Sequence, residues 1–271
     1  MTTYAFKLPI CGLLAVALSS GALAEGAGPL RSDYVRLDLG FAAQSVGGFR
    51  QDGLLNNGGS FVEEDFGDSF LAGAGIGWRL GHNVRFDLTG EYRFNADVDA
   101  QDFLQITTPT TDVMASTTYS GEYSAIVALA NLYIDLPKIH GTITPYVGAG
   151  IGLAHNRFSR FETMTTGTFT DLVGGATTDI SNPGFAGSKH TTEFAWALMA
   201  GASIELDERR TLDVGYRFMD LGGDVSASTS LIDCLCGATG GPLTVSDLRS
   251  HDFRIGLRWQ FQEQRELVPL K

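Results

Sequence analysis

The sequence is short of cations, of cysteine and of long apolar runs, and each shortage removes a class of function. Nineteen Lys and Arg stand against 31 Asp and Glu in 271 residues, a net charge of −12. That balance argues against nucleic acid, whose phosphates need a basic face. Three cysteines are too few for a disulfide-built scaffold. A bundle of membrane helices and a disordered chain are both excluded by an ordinary hydrophobic content of 44%. The length suffices for a full core, as one larger domain or two small ones.

Residues 1–24 read as a cleaved secretory signal. Lys7 is its one charge, residues 11–18 are apolar, and Ala22-Leu-Ala24 supplies the small-x-small cleavage pattern. The apolar stretch is far short of the roughly 20 residues of a spanning helix. A lipoprotein signal ending at Cys11 is the rival, but Leu8-Pro-Ile-Cys11 carries Pro and Ile where small residues belong. Cleavage after Ala24 leaves 247 of the 271 residues, with 18 basic and 31 acidic side chains and a charge of −13.

From residue 25 onward no sustained 3.6-residue apolar stripe appears. Eight segments alternate instead with period two, the signature of strands: 34–42, 70–80, 84–94, 122–136, 143–154, 192–206, 211–219 and 251–261. One parity is apolar, as in Val35, Leu37, Leu39 and Phe41, or Phe253, Ile255, Leu257, Trp259 and Phe261. The fourth segment is apolar on both parities. Asn131, Tyr133 and Asp135 assign its inner face and leave Ile126, Ala128, Ala130, Leu132 and Ile134 outside.

The connections alternate short and long. Residues 81–83, 137–142 and 207–210 are turns, whereas 43–69, 95–121, 157–190 and 220–249 read as loops. Soluble sandwiches and lipocalin-like barrels mix their loop lengths; transmembrane barrels keep tight turns at one end and long loops at the other. Trp78, Trp196 and Trp259 fall on the apolar face near segment ends, as interfacial girdles require. The fold class expected is therefore all-β: an eight-stranded antiparallel transmembrane β-barrel over 25–261, with four long extracellular loops, periplasmic termini and a short tail at 262–271.

Three strand motifs and the last strand carry a family resemblance. Asn131-Leu-Tyr-Ile-Asp135, Thr144-Pro-Tyr-Val-Gly-Ala-Gly-Ile-Gly152 and Leu212-Asp-Val-Gly-Tyr-Arg-Phe-Met-Asp-Leu-Gly222 resemble the opacity and OmpA-like surface antigens of proteobacteria. Arg254-Ile-Gly-Leu-Arg-Trp-Gln-Phe261 is similar to the signal that barrel-insertion machinery reads. The family usually ends at that aromatic, and this chain continues to Lys271. The resemblance implies an outer-membrane protein with roles in envelope integrity, adhesion or antigenicity, and a host or neighbouring-cell ligand for its loops.

The inner face is expected to carry seven arginines (36, 79, 85, 93, 217, 254, 258) against Asp38, Asp87, Glu91, Glu193, Glu205, Asp213 and Asp252. Buried charges persist when paired, and eight strands enclose just enough room for side chains, so a plugged interior is expected. A narrow pore opened by rearranging these pairs is the alternative.

Other motifs yield no cofactor, metal or catalytic site. The runs 73–77 and 148–152 lack G-x-G-x-x-G spacing and no helix follows, so their glycines form a bare inner stripe on which Arg side chains and Tyr146 can lie. The five histidines (82, 140, 155, 190, 251) lack ligand spacing. A lipid-modifying hydrolase would need Ser250, His251 and Asp252 to converge, which neighbours on a strand cannot do without a bulge. Asn95-Ala-Asp-Val-Asp99 begins like a calcium loop but lacks its Gly and closing Glu. Cys234 and Cys236 could bridge within the fourth loop.

Loops one, two and four carry −4, −4 and −3, and loop three is neutral. This places 11 of the 13 net negative charges outside. Divalent cations are expected to join these loops to lipopolysaccharide phosphates.

Overall fold

The computed structural model describes residues 32–50, 59–139, 141–186, 188–223, 225–227 and 243–261. The expected leader (1–24), the tail (262–271), Cys234, Cys236 and His140 lie outside these residues. Thirteen strands follow one another: β1 (Tyr34–Ser45), β2 (Gly48–Arg50), β3 (Ser60–Phe66), β4 (Ser69–Arg79), β5 (Val84–Thr107), β6 (Thr111–Asp135), β7 (Ile143–Asp171), β8 (Thr177–Ala186), β9 (Lys189–Glu205), β10 (Arg210–Asp220), β11 (Val225–Ala227), β12 (Leu243–Ser246) and β13 (Arg249–Gln260).

Eight of them close a ring, in the order β1, β4, β5, β6, β7, β9, β10, β13 and back to β1, every pair antiparallel. Closure removes the free edges an open sheet would present. Short turns join β4–β5, β6–β7 and β9–β10 at one end, the turn end. Gly81 (φ 110°) and Gly141 (φ 76°) take left-handed backbone there, which favours glycine. The other end is the loop end.

Side chains divide as period two requires. Leu39, Phe70, Ile151, Phe194, Phe253 and Ile255 are each at least half exposed on the outer wall, while Arg85, Asp87, Arg93, Arg217 and Asp252 are buried inside. The fourth segment follows its expected parity, with Ile126, Leu132 and Ile134 outside and Val127 and Leu129 inside. Aromatic contacts gird both ends of the apolar band: Trp78 stacks on Phe86 at 5.7 Å near the turn end, and Trp196–Phe218 and Phe41–Phe70 meet at 5.5 and 5.8 Å near the loop end.

Two expected loops are largely strand. β5, β6 and β7 run 24, 25 and 29 residues, where 9–11 cross a bilayer. At about 3.3 Å per residue, β5 reaches roughly 40 Å past the apolar band. Its distal half pairs with β3 on one side and β6 on the other, and β8 pairs with the distal half of β7. A five-stranded sheet, β3-β5-β6-β7-β8, therefore stands on the barrel rim.

Two bulges make this extension fold. Between Arg93 and Ala96 the β5 register shifts so that Phe94 and Asn95 share one partner position, and Gly121 of β6 faces both Arg160 and Phe161 of β7. Arg160 takes φ 54° there. Each bulge reverses parity: on β5 the buried set changes from Glu91 and Arg93 to Ala96, Val98, Ala100 and Asp102, and on β7 from Asn156 and Phe158 to Phe161 and Thr163. β6, between them, keeps one parity from Tyr133 to Val113. The buried face thus continues past the rim, and its charged lining gives way to an apolar one.

Candidate functional site

The barrel interior is filled by an ion-pair network in three tiers. Near the turn end, Arg85 donates to Asp135 at 2.8 Å and lies over the rings of Tyr133 and Tyr146 at 4.8 and 5.3 Å. Beside it Arg258 donates to Asp213 and Ser203 at 3.1 and 3.0 Å. In the middle, Arg36 donates through Nε and Nη2 to both oxygens of Asp38 at 2.8 and 2.7 Å, and through Nη1 to Asp87 at 2.8 Å. Asn131 Nδ2 donates to the other oxygen of Asp87, and Arg254 approaches Asp38 at 3.2 Å.

The third tier is a ring of four charges. Arg217 donates to Glu91 at 2.7 and 2.8 Å and to Asp252 at 2.8 Å. Arg93 donates to Asp252 at 2.7 Å and to Glu91 at 3.2 Å. The partners come from β5, β10 and β13, so only barrel closure brings them together.

Six arginines meet six carboxylates, a different set from the expected seven and seven. Arg79 is exposed at its strand end, Glu193 is half-buried near the loop end, and Glu205 pairs at the surface with Lys138 at 2.6 Å. Asp135 takes a place instead. Parity picks the inner face, but a side chain at a rim reaches water more cheaply than a partner.

The glycine stripe makes room for this network. A Cβ at Gly77 would meet the Tyr34 ring at 2.1 Å, and one at Gly256 the Asp38 carboxylate at 2.3 Å. Arg36 packs against Gly75 as the stripe implied, whereas Tyr146 lies on Gly201 and Gly215. The described cavity here measures about 10 Å³, room for about one water.

Above the third tier the lining turns apolar. Tyr123 donates to Asn156 at 2.8 Å, and Asn156 donates to the Leu221 carbonyl. Phe66, Tyr123, Phe158 and Phe161 pack with centroids 5.2–6.4 Å apart. Over them lies a small sheet, β11-β12-β2, whose Phe49 and Val245 are buried in the same core. Farther out, Asp102 of β5 is buried on the inner face of the projecting sheet, accepting from Tyr119 at 2.6 Å and from the Thr117 amide at 2.9 Å. Burial pushes its carboxyl up from the usual range, and the same burial raises Tyr119. Asp102 therefore does not share in the acidity expected of the second loop's surface.

At the tip, Leu172 and Val173 stand exposed. The Asp171 carboxylate accepts from the Val173 amide at 2.9 Å, and amides of Gly174 and Val173 hold it below the usual range. The Leu172 amide donates to the Thr110 carbonyl at 2.8 Å, which ties the β7–β8 tip to the β5–β6 turn.

The remaining motifs fall where parity sends them. Ser250 and Asp252 meet inside at 2.5 Å, and His251 points outward to Tyr216 at 2.6 Å, so no triad forms. Residues 95–99 lie in the β5 strand, with Asp97 and Asp99 on its exposed face. His155 and His190 stack at 5.5 Å on the outer wall. Among the described residues no group of three or more metal-ligating side chains occurs.

A family model described as outer membrane protein beta-barrel domain matches residues 11–261. Among curated proteins, an uncharacterized protein of Brucella abortus strain 2308 is 29% identical over 254 residues, covering 84% of each chain. A second, from Brucella suis biovar 1, is 28% identical over 253 residues with the same coverage. The outer membrane protein OprG of Pseudomonas aeruginosa superposes with TM-score 0.50 at 14% identity, over 85% of this chain and 98% of that one, and shows the shared fold. Neisserial surface protein A gives TM-score 0.39 at 16% identity, over 84% and 96%. The chain belongs to the outer membrane protein beta-barrel domain family, and its place is the outer membrane.

Proposed function

We propose that the protein is a closed outer-membrane anchor that carries a braced β-sheet out to the cell exterior, with the turn end and both termini in the periplasm. The observation that carries this reading is the interior. Paired arginines fill three tiers, an aromatic layer follows, and a small sheet lies on top. Among the described residues such an interior leaves room for about one water and none for a conducting lumen, and its distinctive feature is the sheet of five strands beyond the rim. Family membership supports export, and the motif 254–261 suits recognition by barrel-insertion machinery.

The sheet's place outside a sealed anchor suits adhesion, antigenic display or envelope integrity, and of these we favour contact with another surface. The tip is cross-tied and presents Leu172 and Val173 rather than burying them. The acidic groups of the first, second and fourth loops would share divalent cations with lipopolysaccharide phosphates.

Protease shaving of intact cells tests the topology. Cleavage at the β7–β8 tip with full protection of the turns 80–83, 136–142 and 206–209 is the expected result. Cleavage at those turns, or release of a soluble product, overturns it. Steady nanosiemens conductance from refolded protein in planar bilayers would overturn the sealed interior.

A further inference from the structure

Across β6, β7 and β9 the outer wall changes chemistry between two adjacent rows. In register order from the band outward, Ala130–Ile151–Trp196 and Ala128–Leu153–Phe194 are followed by Ile126–His155–Thr192 and Ser124–Arg157–His190. Leu153 and Phe194 are 56% and 59% exposed, as acyl-facing side chains are. One row farther, about 5 Å along tilted strands, the wall offers His155 beside Ile126, and the next row brings Arg157 and His190. Such a change of chemistry suits the depth at which acyl chains end and head groups begin.

Arg157 is exposed and has no ion pair or hydrogen bond among the described residues. Its nearest acidic neighbour in sequence register, Glu122, is already taken by Arg160 and Asn95. His190 stands directly opposite Arg157. His155, one row down, stacks on His190 with the rings 11° apart, and its Nδ1 is fixed by Thr192 at 2.8 Å. The other sectors of this rim differ: β10 and β13 carry the Asp220–Arg249 pair at 3.8 Å, and Asp68 stands before β4 with no cation paired to it among the described residues. The β7–β9 sector is therefore where the rim offers an uncompensated cation, matching the neutral third loop among acidic ones.

We propose that Arg157, with His190 and His155 beside it, binds a phosphate group of the lipopolysaccharide in the outer leaflet. This rests on the membrane placement proposed above. The planar guanidinium suits bidentate phosphate contact, and Arg157 stands two rows outward of the lipid-facing Leu153 and Phe194. Imidazole N–H groups add donors from the next strand. The contact would fix the barrel's depth and rotation, directing the projecting sheet in one orientation relative to the lipid surface.

The test uses the refolded full chain in phosphatidylcholine nanodiscs doped with diphosphorylated or dephosphorylated lipid A, with chelator present so that cation bridging at the acidic loops is silent. Lipid A retained per barrel after gel filtration is read by native mass spectrometry. Wild type should retain the phosphorylated lipid preferentially, Arg157→Gln should lower that retention about tenfold, and Arg157→Lys should recover part of it. Arg249→Gln, whose side chain is paired with Asp220 on the β10–β13 sector, should change nothing. Equal retention by wild type and Arg157→Gln, or equal retention of the two lipids, overturns the site. A chain that enters the nanodisc but shows no phosphate preference refutes the site alone, whereas a chain that fails to enter refutes the membrane placement as well.

Discussion

The ring formed by Glu91, Arg93, Arg217 and Asp252 gives the sharpest test of a sealed interior. Asp252→Asn keeps the shape and removes the charge. Asp252 accepts from Arg93 at 2.7 Å, Arg217 at 2.8 Å and Ser250 at 2.5 Å, and neither the carboxylate nor either guanidinium reaches solvent. With the charge gone, Glu91 alone faces two buried cations. Breaking a buried pair from one side costs about 3–5 kcal/mol, because the remaining charge is left unpaired. At about 1.4 kcal/mol per factor of ten, the folding equilibrium falls by roughly two to three and a half orders of magnitude. Urea unfolding of the refolded barrel in detergent micelles, followed by tryptophan fluorescence, measures the change. Glu205→Gln is the control, since its pair with Lys138 is exposed and about 1 kcal/mol or less is at stake. The double change Arg93→Met with Asp252→Leu should recover much of the loss, because it leaves Glu91 and Arg217 matched. If Asp252→Asn unfolds with the control, water reaches these arginines and the interior is a conduit rather than a plug.

Other perturbations probe the rest of the molecule. A Cβ at Gly152 would sit 1.9 Å from the Ala128 carbonyl oxygen, so Gly152→Val should force β6 and β7 apart and cost about 1–3 kcal/mol or more; an unchanged urea midpoint would refute that close approach. The folded-state pKa of Asp102 is raised by burial, so the ionised form is the disfavoured one. Stability from this site is full below the ordinary carboxylate range and is lost as pH rises through the folded value. Asp102→Asn should therefore gain on wild type as pH rises above the ordinary carboxylate range, read as urea midpoints of the two proteins at each pH; a wild type that gains on the variant as pH rises would contradict the assignment. Chelating magnesium on intact cells should raise protease sensitivity of the acidic loops, since screening decays over about 8 Å and bridging needs close contact; unchanged sensitivity would remove the cation bridge.

Period two in the sequence was enough to determine the strands that cross the membrane, their inner and outer faces, and the three tight turns. The cause is local: successive side chains on a strand point to opposite faces, and one face meets lipid. The same logic hid the projecting sheet. A bulge at Phe94 and Asn95 and another at Arg160 each reverse parity, so residues 95–121 and 157–190 read against their own upstream pattern look like loops. The sequence traces are a second alternation, Ala96, Val98, Ala100, one residue out of phase with Glu91 and Arg93, and the unbroken parity of Val113, Tyr119 and Tyr123 on β6.

Charge balance inside was likewise visible, but not its wiring. Arg93 finds Asp252 across 159 residues and Arg217 finds Glu91 across 126, and neither separation leaves a mark in local pattern. Arg79 and Glu205 share the inward parity yet sit at the rim, where solvent replaces a partner. Whether an inward charge is buried, and with whom, depends on its height in the barrel and on which strands closure sets opposite. Alternation thus determined which way each side chain faces; the closed ring and its two bulges decided what it meets there, because height and cross-barrel distance exist only once the first strand has paired with the last.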